Sequence, residues 1–144
     1  MTFAMVIPRR PISSNRNANP KFTRAIGETA SAWMHSEPLL DGELYTRIIW
    51  FHRGKTDQDA DNIAKRILDS LRGIVFESDN LISQCLTVRV NTREDYIISD
   101  QNVLPDVYKE LLKLLSEDRS DVLYVEIGRI TSSQAVFGPI DGGV

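Results

Sequence analysis

Three aspartates stand on alternate positions in the run Lys55-Thr56-Asp57-Gln58-Asp59-Ala60-Asp61-Asn62, directly after an apolar stretch, and Glu77 and Asp79 follow some fifteen residues on. Carboxylates repel one another, so crowding them adds nothing to stability. A cation that takes several oxygen ligands is the usual physical reason to do so. From Asp59 to about Arg72 the spacing of Ile63, Ile67, Leu68 and Leu71 predicts a helix with one apolar stripe. Asp61, Lys65 and Asp69 fall at i, i+4 and i+8 and project from another face of it. Asp59 leans to the side of Asp61, and Asp79 joins them if the segment after Gly73 folds back to the helix start. Three carboxylates converging there would make a hard oxygen site suited to Mg²⁺, which keeps several waters for a substrate phosphate to displace. Such an ion activates water and neutralises charge on a phosphodiester. A neighbouring lysine adds positive charge where the transition state gains negative charge. His35 and His52 lack the spacing that a softer metal would need.

The same residues have plainer readings. Asp57, Asp59 and Asp61 open like a calcium loop, but the sixth and twelfth positions of such a loop need Gly and Glu, and here they are Asn62 and Leu68. Alternatively, Asp59 or Asp61 caps the helix, and Asp61–Lys65 and Lys65–Asp69 are surface ion pairs worth a few tenths of a kcal/mol each.

The elements that must hold these residues follow from periodicity. Phe3 to Ile7 reads as a strand, residues 8–20 as a Pro/Ser/Asn-rich loop, and Pro20 as the first turn of a helix carrying Phe22, Ile26, Ala30 and Trp33. Leu44 to Phe51 reads as a central strand covered on both faces toward its end. Ser83 to Val90 alternates, with Leu86, Val88 and Val90 on an apolar side and Cys85 taken as a small packing residue. A helix with Pro105 in its first turn and a strand from Asp121 to Ile130 complete a β-α-β-α-β-α-β order. The expected fold is α/β (α+β): a mixed sheet of about four strands with two to three helices packed on it, in a single domain. Residues 131–144 read as a loose tail. Trp33 and Trp50 sit in apolar periodic runs and read as core.

At 144 residues with 42% hydrophobic and 26% charged content, the chain fits one soluble domain. No apolar run reaches bilayer length, and the start has too short an apolar stretch for a secretory signal. With one cysteine, the expectation is a cytoplasmic protein. Net charge is −3, but it is unevenly spread. Residues 1–72 hold eleven basic and eight acidic side chains, whereas residues 73–144 hold six and twelve. The first 27 residues carry Arg9, Arg10, Arg16, Lys21 and Arg24 and no acid, a local patch suited to phosphates or simply a solubilising arm.

The strings Asp59-Ala60-Asp61-Asn62-Ile63-Ala64-Lys65, Leu68-Asp69-Ser70-Leu71 and Asp79-Asn80-Leu81-Ile82 together resemble the RusA family of Holliday-junction resolvases. Pro11-Ile12-Ser13-Ser14-Asn15 is similar to that family's N-terminal loop, and the resemblance covers roughly residues 3–92. It implies an Mg²⁺-dependent endodeoxyribonuclease that cuts branched DNA as a homodimer. Asp59, Asp61 and Asp79 would bind the metal, and Lys65 would assist at the scissile phosphate. Arg9, Arg10, Asn15, Arg16, Lys21, Arg24, Arg53 and Lys55 are then the expected DNA contacts. Residues 1–130 would form the nuclease domain, with 91–120 an addition to the compact members. Ser78 stands where many members carry an aspartate, and the second half is acidic. These two features motivate an alternative, a non-catalytic DNA-binding or regulatory protein of the same fold; a metal-dependent nuclease on another nucleic acid is a third.

Overall fold

The protein is described from a computed structural model, which covers residues 2–12, 20–56, 58–98, 103–133 and 135–139. The elements are β1 (Phe3–Ile7), α1 (Pro20–Met34), β2 (Leu44–His52), α2 (Ala60–Leu71), β3 (Ile82–Asn91), α3 (Pro105–Ser116) and β4 (Asp121–Arg129), with a single 3-10 turn at Asp79–Leu81 before β3. The expected α+β fold, a mixed four-stranded sheet with three helices, is what forms.

The sheet order is β1-β4-β2-β3. β4 runs antiparallel to both β1 and β2, and β3 runs parallel to β2. Three strands therefore point the same way. Ile7, His52 and Asn91 share one end of the sheet, here the upper end, and Phe3, Leu44 and Ile82 share the lower one. A parallel crossover must return the chain to the lower end before β3 can start, so α2 runs down the sheet.

One face of the sheet is covered by α1 and α2. There Phe22, Ile26, Ile63, Ile67 and Leu71 pack on Met5, Ile48, Trp50, Leu123 and Val125. Fully burying one such side chain contributes about 1.5–3 kcal/mol. The other face carries α3, whose Val107, Leu111 and Leu114 cover Ala4, Val6, Phe51, Val122 and Tyr124. Segment 91–120 thus supplies three of the eight buried residues of the second core layer, Val107, Leu111 and Leu114. Trp50 is wholly buried, as expected, and its ring nitrogen donates to Asp121 Oδ1 at 2.9 Å. Trp33 is half-buried and touches both core layers.

One expectation fails at β3. Cys85 is exposed rather than packed. The apolar side of the strand is covered only in part: Leu86 remains 38% exposed, whereas Val88 and Val90 are half-buried and Val90 packs against the α3 layer. β3 is an edge strand, and on the Leu86 side α3 sits over β1 and β4 rather than over it.

A polar cluster lies on the α3 side of the sheet below the helix. Glu126, almost fully buried, accepts hydrogen bonds from Tyr45 at 2.6 Å and Tyr124 at 2.5 Å. Burial, then these bonds to a carboxylate, push the Tyr45 hydroxyl up to about 12 and that of Tyr124 higher still. Gly128 is required beside them, because a Cβ there would lie 2.7 Å from the Tyr45 ring.

Among the described residues no helix is long and apolar enough to cross a membrane. Beyond β4 the described tail residues are exposed and have no regular structure.

Candidate functional site

α2 begins where expected. Asp59 is its N-cap in extended conformation, but its side chain makes no capping bond; the backbone carbonyl of Asp59 accepts from Ile63 N at 3.2 Å instead. Asp59 and Asp61 still gain from the helix dipole, by about 0.3–1 kcal/mol each at an exposed N-terminus. Gly73, at a φ of +86°, supplies the left-handed residue that ends the helix.

The exposed face of α2 carries Asp61, Lys65 and Asp69. Lys65 pairs with Asp69, at 3.7 Å. Near the foot of α2, Lys65, Leu68, Asp69, Asp79 and Ile82 line one shallow pocket of about 210 Å³. Asp79 accepts a bond from Arg72 Nη1 at 3.1 Å. The structure therefore brings Lys65, Asp69 and Asp79 together. It does not bring Asp59 and Asp61 to Asp79. Asp59 and Asp61 stand at the start of the helix, and Asp79 follows its end in the turn before β3. Among the described residues no group of three carboxylate, imidazole or thiol side chains is placed to hold a metal ion. Asp57 lies outside the described residues.

Asp69 is the residue that the sequence reasoning left out of the ligand set. Its i+4 spacing from Lys65 was the available signal. The donor chemistry fits Mg²⁺, because the carboxylates are hard, exposed oxygen ligands. Mg²⁺ commonly takes only one or two of them and keeps its waters. Nor do the present ion pairs lock these groups, since exposed pairs are worth about 0–1 kcal/mol.

The upper end of the sheet is where cations collect. Arg9 and Arg10 follow β1, Lys21 and Arg24 lie in the first turns of α1, and Lys55 precedes α2; all five are exposed. Arg10 lies over the Trp50 ring, 5.6 Å from its centroid. Arg53 donates to the backbone carbonyl of Asp118 at 2.6 Å and pairs with the Asp118 carboxylate. Asn15 and Arg16 lie outside the described residues. Both α1 and α2 point their N-termini toward this end, which favours phosphate. The sequence reading missed Arg89, whose guanidinium donates to Gln58 O at 2.9 Å just ahead of Asp59. It also missed two buried polar atoms without a hydrogen-bond partner among the described residues, His52 Nδ1 and Gln58 Oε1.

A family model described as endodeoxyribonuclease RusA matches residues 14–98, more than half of the chain. That span contains α1, β2, α2, the Asp79 turn and β3. No curated protein matches the chain.

Proposed function

The chain belongs to the RusA endodeoxyribonuclease family, and from that premise we propose that it is an Mg²⁺-dependent, structure-selective endonuclease that hydrolyses phosphodiesters of branched DNA, four-way junctions above all, as a homodimer. The observation that carries the reading is the exposed face of α2, where Asp61, Lys65 and Asp69 run down to Asp79 inside the matched segment.

The proposed ligand set is Asp59, Asp61 and Asp79, with Asp69 added because it already shares a pocket with Asp79; these carboxylates would have to draw together around the ion, since among the described residues they form no ready-made site. When bound, the ion supplies a polarised water and neutralises phosphate charge. Lys65 offers its ammonium to the phosphate oxygens and holds positive charge where negative charge grows. Arg72 pairs with Asp79 and orients it until a stronger cation takes its place. The cations of the upper end, Arg9, Arg10, Lys21, Arg24 and Lys55 with Asn15, Arg16 and Arg53, serve the DNA backbone. Their contacts position the duplex arms without reading bases. Residues 1–130 form the nuclease domain in this reading, with 91–120 as an addition.

The test is cleavage of a synthetic four-way junction, a linear duplex, a flap and an RNA duplex, each with Mg²⁺ and with chelator. Metal-dependent cutting of the junction in preference to the others supports the reading. Binding without cutting in Mg²⁺ would turn it toward the non-catalytic alternative.

A further inference from the structure

β3 is ten residues long, about 33 Å of strand, and its outer side faces no other strand among the described residues. A lone protein normally blunts such an edge with lysine, proline, a bulge or a covering loop. The outer strand at the other side of the sheet, β1, is protected by brevity: it has five residues, all buried. β3 has no proline, no lysine, no acid and one charge, Arg89. On its apolar side Val88 and Val90, beside Ile49, line a groove of about 210 Å³, and Leu86 is 38% exposed.

We propose that β3 pairs antiparallel with β3 of a second copy of this chain, about a two-fold axis at Leu86, to join two sheets into one of eight strands. The proposal rests on the homodimer reading above and names its surface. In this register Leu86 faces its own copy, Val88 faces the partner's Gln84, Val90 faces the partner's Ile82, and Arg89 faces the partner's Ser83. No like charges oppose, and apolar residues meet apolar or neutral ones, so the strand is compatible with itself as an isologous interface requires.

A second observation selects the same occupant. The tail leaves β4 at the lower end, where Ala135 lies beside Ser83 and Gln84, and Val136 and Phe137 are 79% and 91% exposed. Past β3 in the chain, Tyr96, 40% exposed, sits 6.1 Å from Phe51 near the upper end, and Ile97, 95% exposed, lines the groove with Val88 and Val90. Within one chain these two apolar groups sit at opposite ends of β3. Antiparallel pairing brings one copy's Val136 and Phe137 to the end where the partner's Tyr96 and Ile97 lie, twice per dimer.

Sedimentation velocity of the whole chain, without DNA or metal, tests this. The wild type sediments as a dimer; Leu86→Lys and Thr87→Pro, at exposed and half-exposed edge positions, sediment as monomers with unchanged circular dichroism. Phe137→Ser raises the dimer dissociation constant about tenfold. If an edge variant fails to fold, Leu86→Cys in a Cys85→Ser background decides. Directly opposed strand residues lie about 4.5–5.5 Å apart at Cα, within disulfide reach, so mild oxidation links the two copies. A monomeric wild type, edge variants that remain dimeric, or no crosslink overturns the proposal. A dimer that cuts no DNA overturns the nuclease reading alone, and a monomer that cuts junctions overturns the interface alone.

Discussion

Asp79 is held by Arg72, 3.1 Å from its Nη1, at the foot of the helix whose upper end carries Asp61. The carboxylate is half-exposed, and so is its partner. This ion pair competes with any cation that Asp79 would bind. Arg72→Ala is expected to lower the Mg²⁺ concentration for half-maximal cleavage by about threefold to fivefold, as removal of a competing exposed ion pair would. A magnesium titration of junction cleavage checks it.

Lys65 has a different expected signature. Its ammonium acts where charge develops, so Lys65→Ala lowers kcat by about 10²–10³ and leaves KM within a few-fold. Lys65→Arg keeps part of the rate. Single-turnover kinetics at saturating enzyme separate these effects from weaker DNA binding.

Two parallel strands joined by one helix force that helix to end near the start of the second strand, so the order of the elements already sets Asp59 and Asp61 at the head of α2 and Asp79 after its end. Periodicity placed the strand Leu44–His52 and the stripe Ile63, Ile67 and Leu71 well, because each buries one regular face. It could not say that Cys85 and Leu86 stay exposed. Alternation says which side a residue takes, not whether another layer covers that side, and coverage depends on sheet order, which makes β3 an edge, and for Leu86 on where α3 lands.

Arg9, Arg10 and Lys55 are expected to contribute by neutralising phosphates. Replacing all three by alanine weakens junction and duplex binding alike. It also flattens the slope of log affinity against log salt by about 0.9 for each phosphate that is no longer neutralised. Fluorescence anisotropy across a salt series measures both. An unchanged slope removes these residues from the DNA surface.

The Tyr45–Glu126–Tyr124 cluster sets an alkaline limit on stability. A tyrosine whose folded pKa is raised is neutral in the fold when the unfolded chain has already lost its proton. Its contribution is therefore whole below the ordinary value of about 10 and is lost as pH rises from there through about 12. Denaturant melts are expected to show stability falling across that window. In the double variant Tyr45→Phe, Tyr124→Phe, the fall is shallower. Gly128→Ala drives the Tyr45 ring from its place and costs about 1–3 kcal/mol at neutral pH.

The measurement closest to the centre of this account is the rate of four-way-junction cleavage in Mg²⁺ by wild type, Asp61→Asn, Asp69→Asn and Asp79→Asn, each confirmed folded by its melting curve. The account predicts Mg²⁺-dependent cutting by the wild type and a loss of about 10²-fold or more in Asp79→Asn. Loss in Asp61→Asn as well places both ends of α2 in the reaction, whereas loss in Asp69→Asn and Asp79→Asn alone confines it to the pocket at the helix foot. Wild-type rates in all three variants, or no cutting by the wild type, would contradict it.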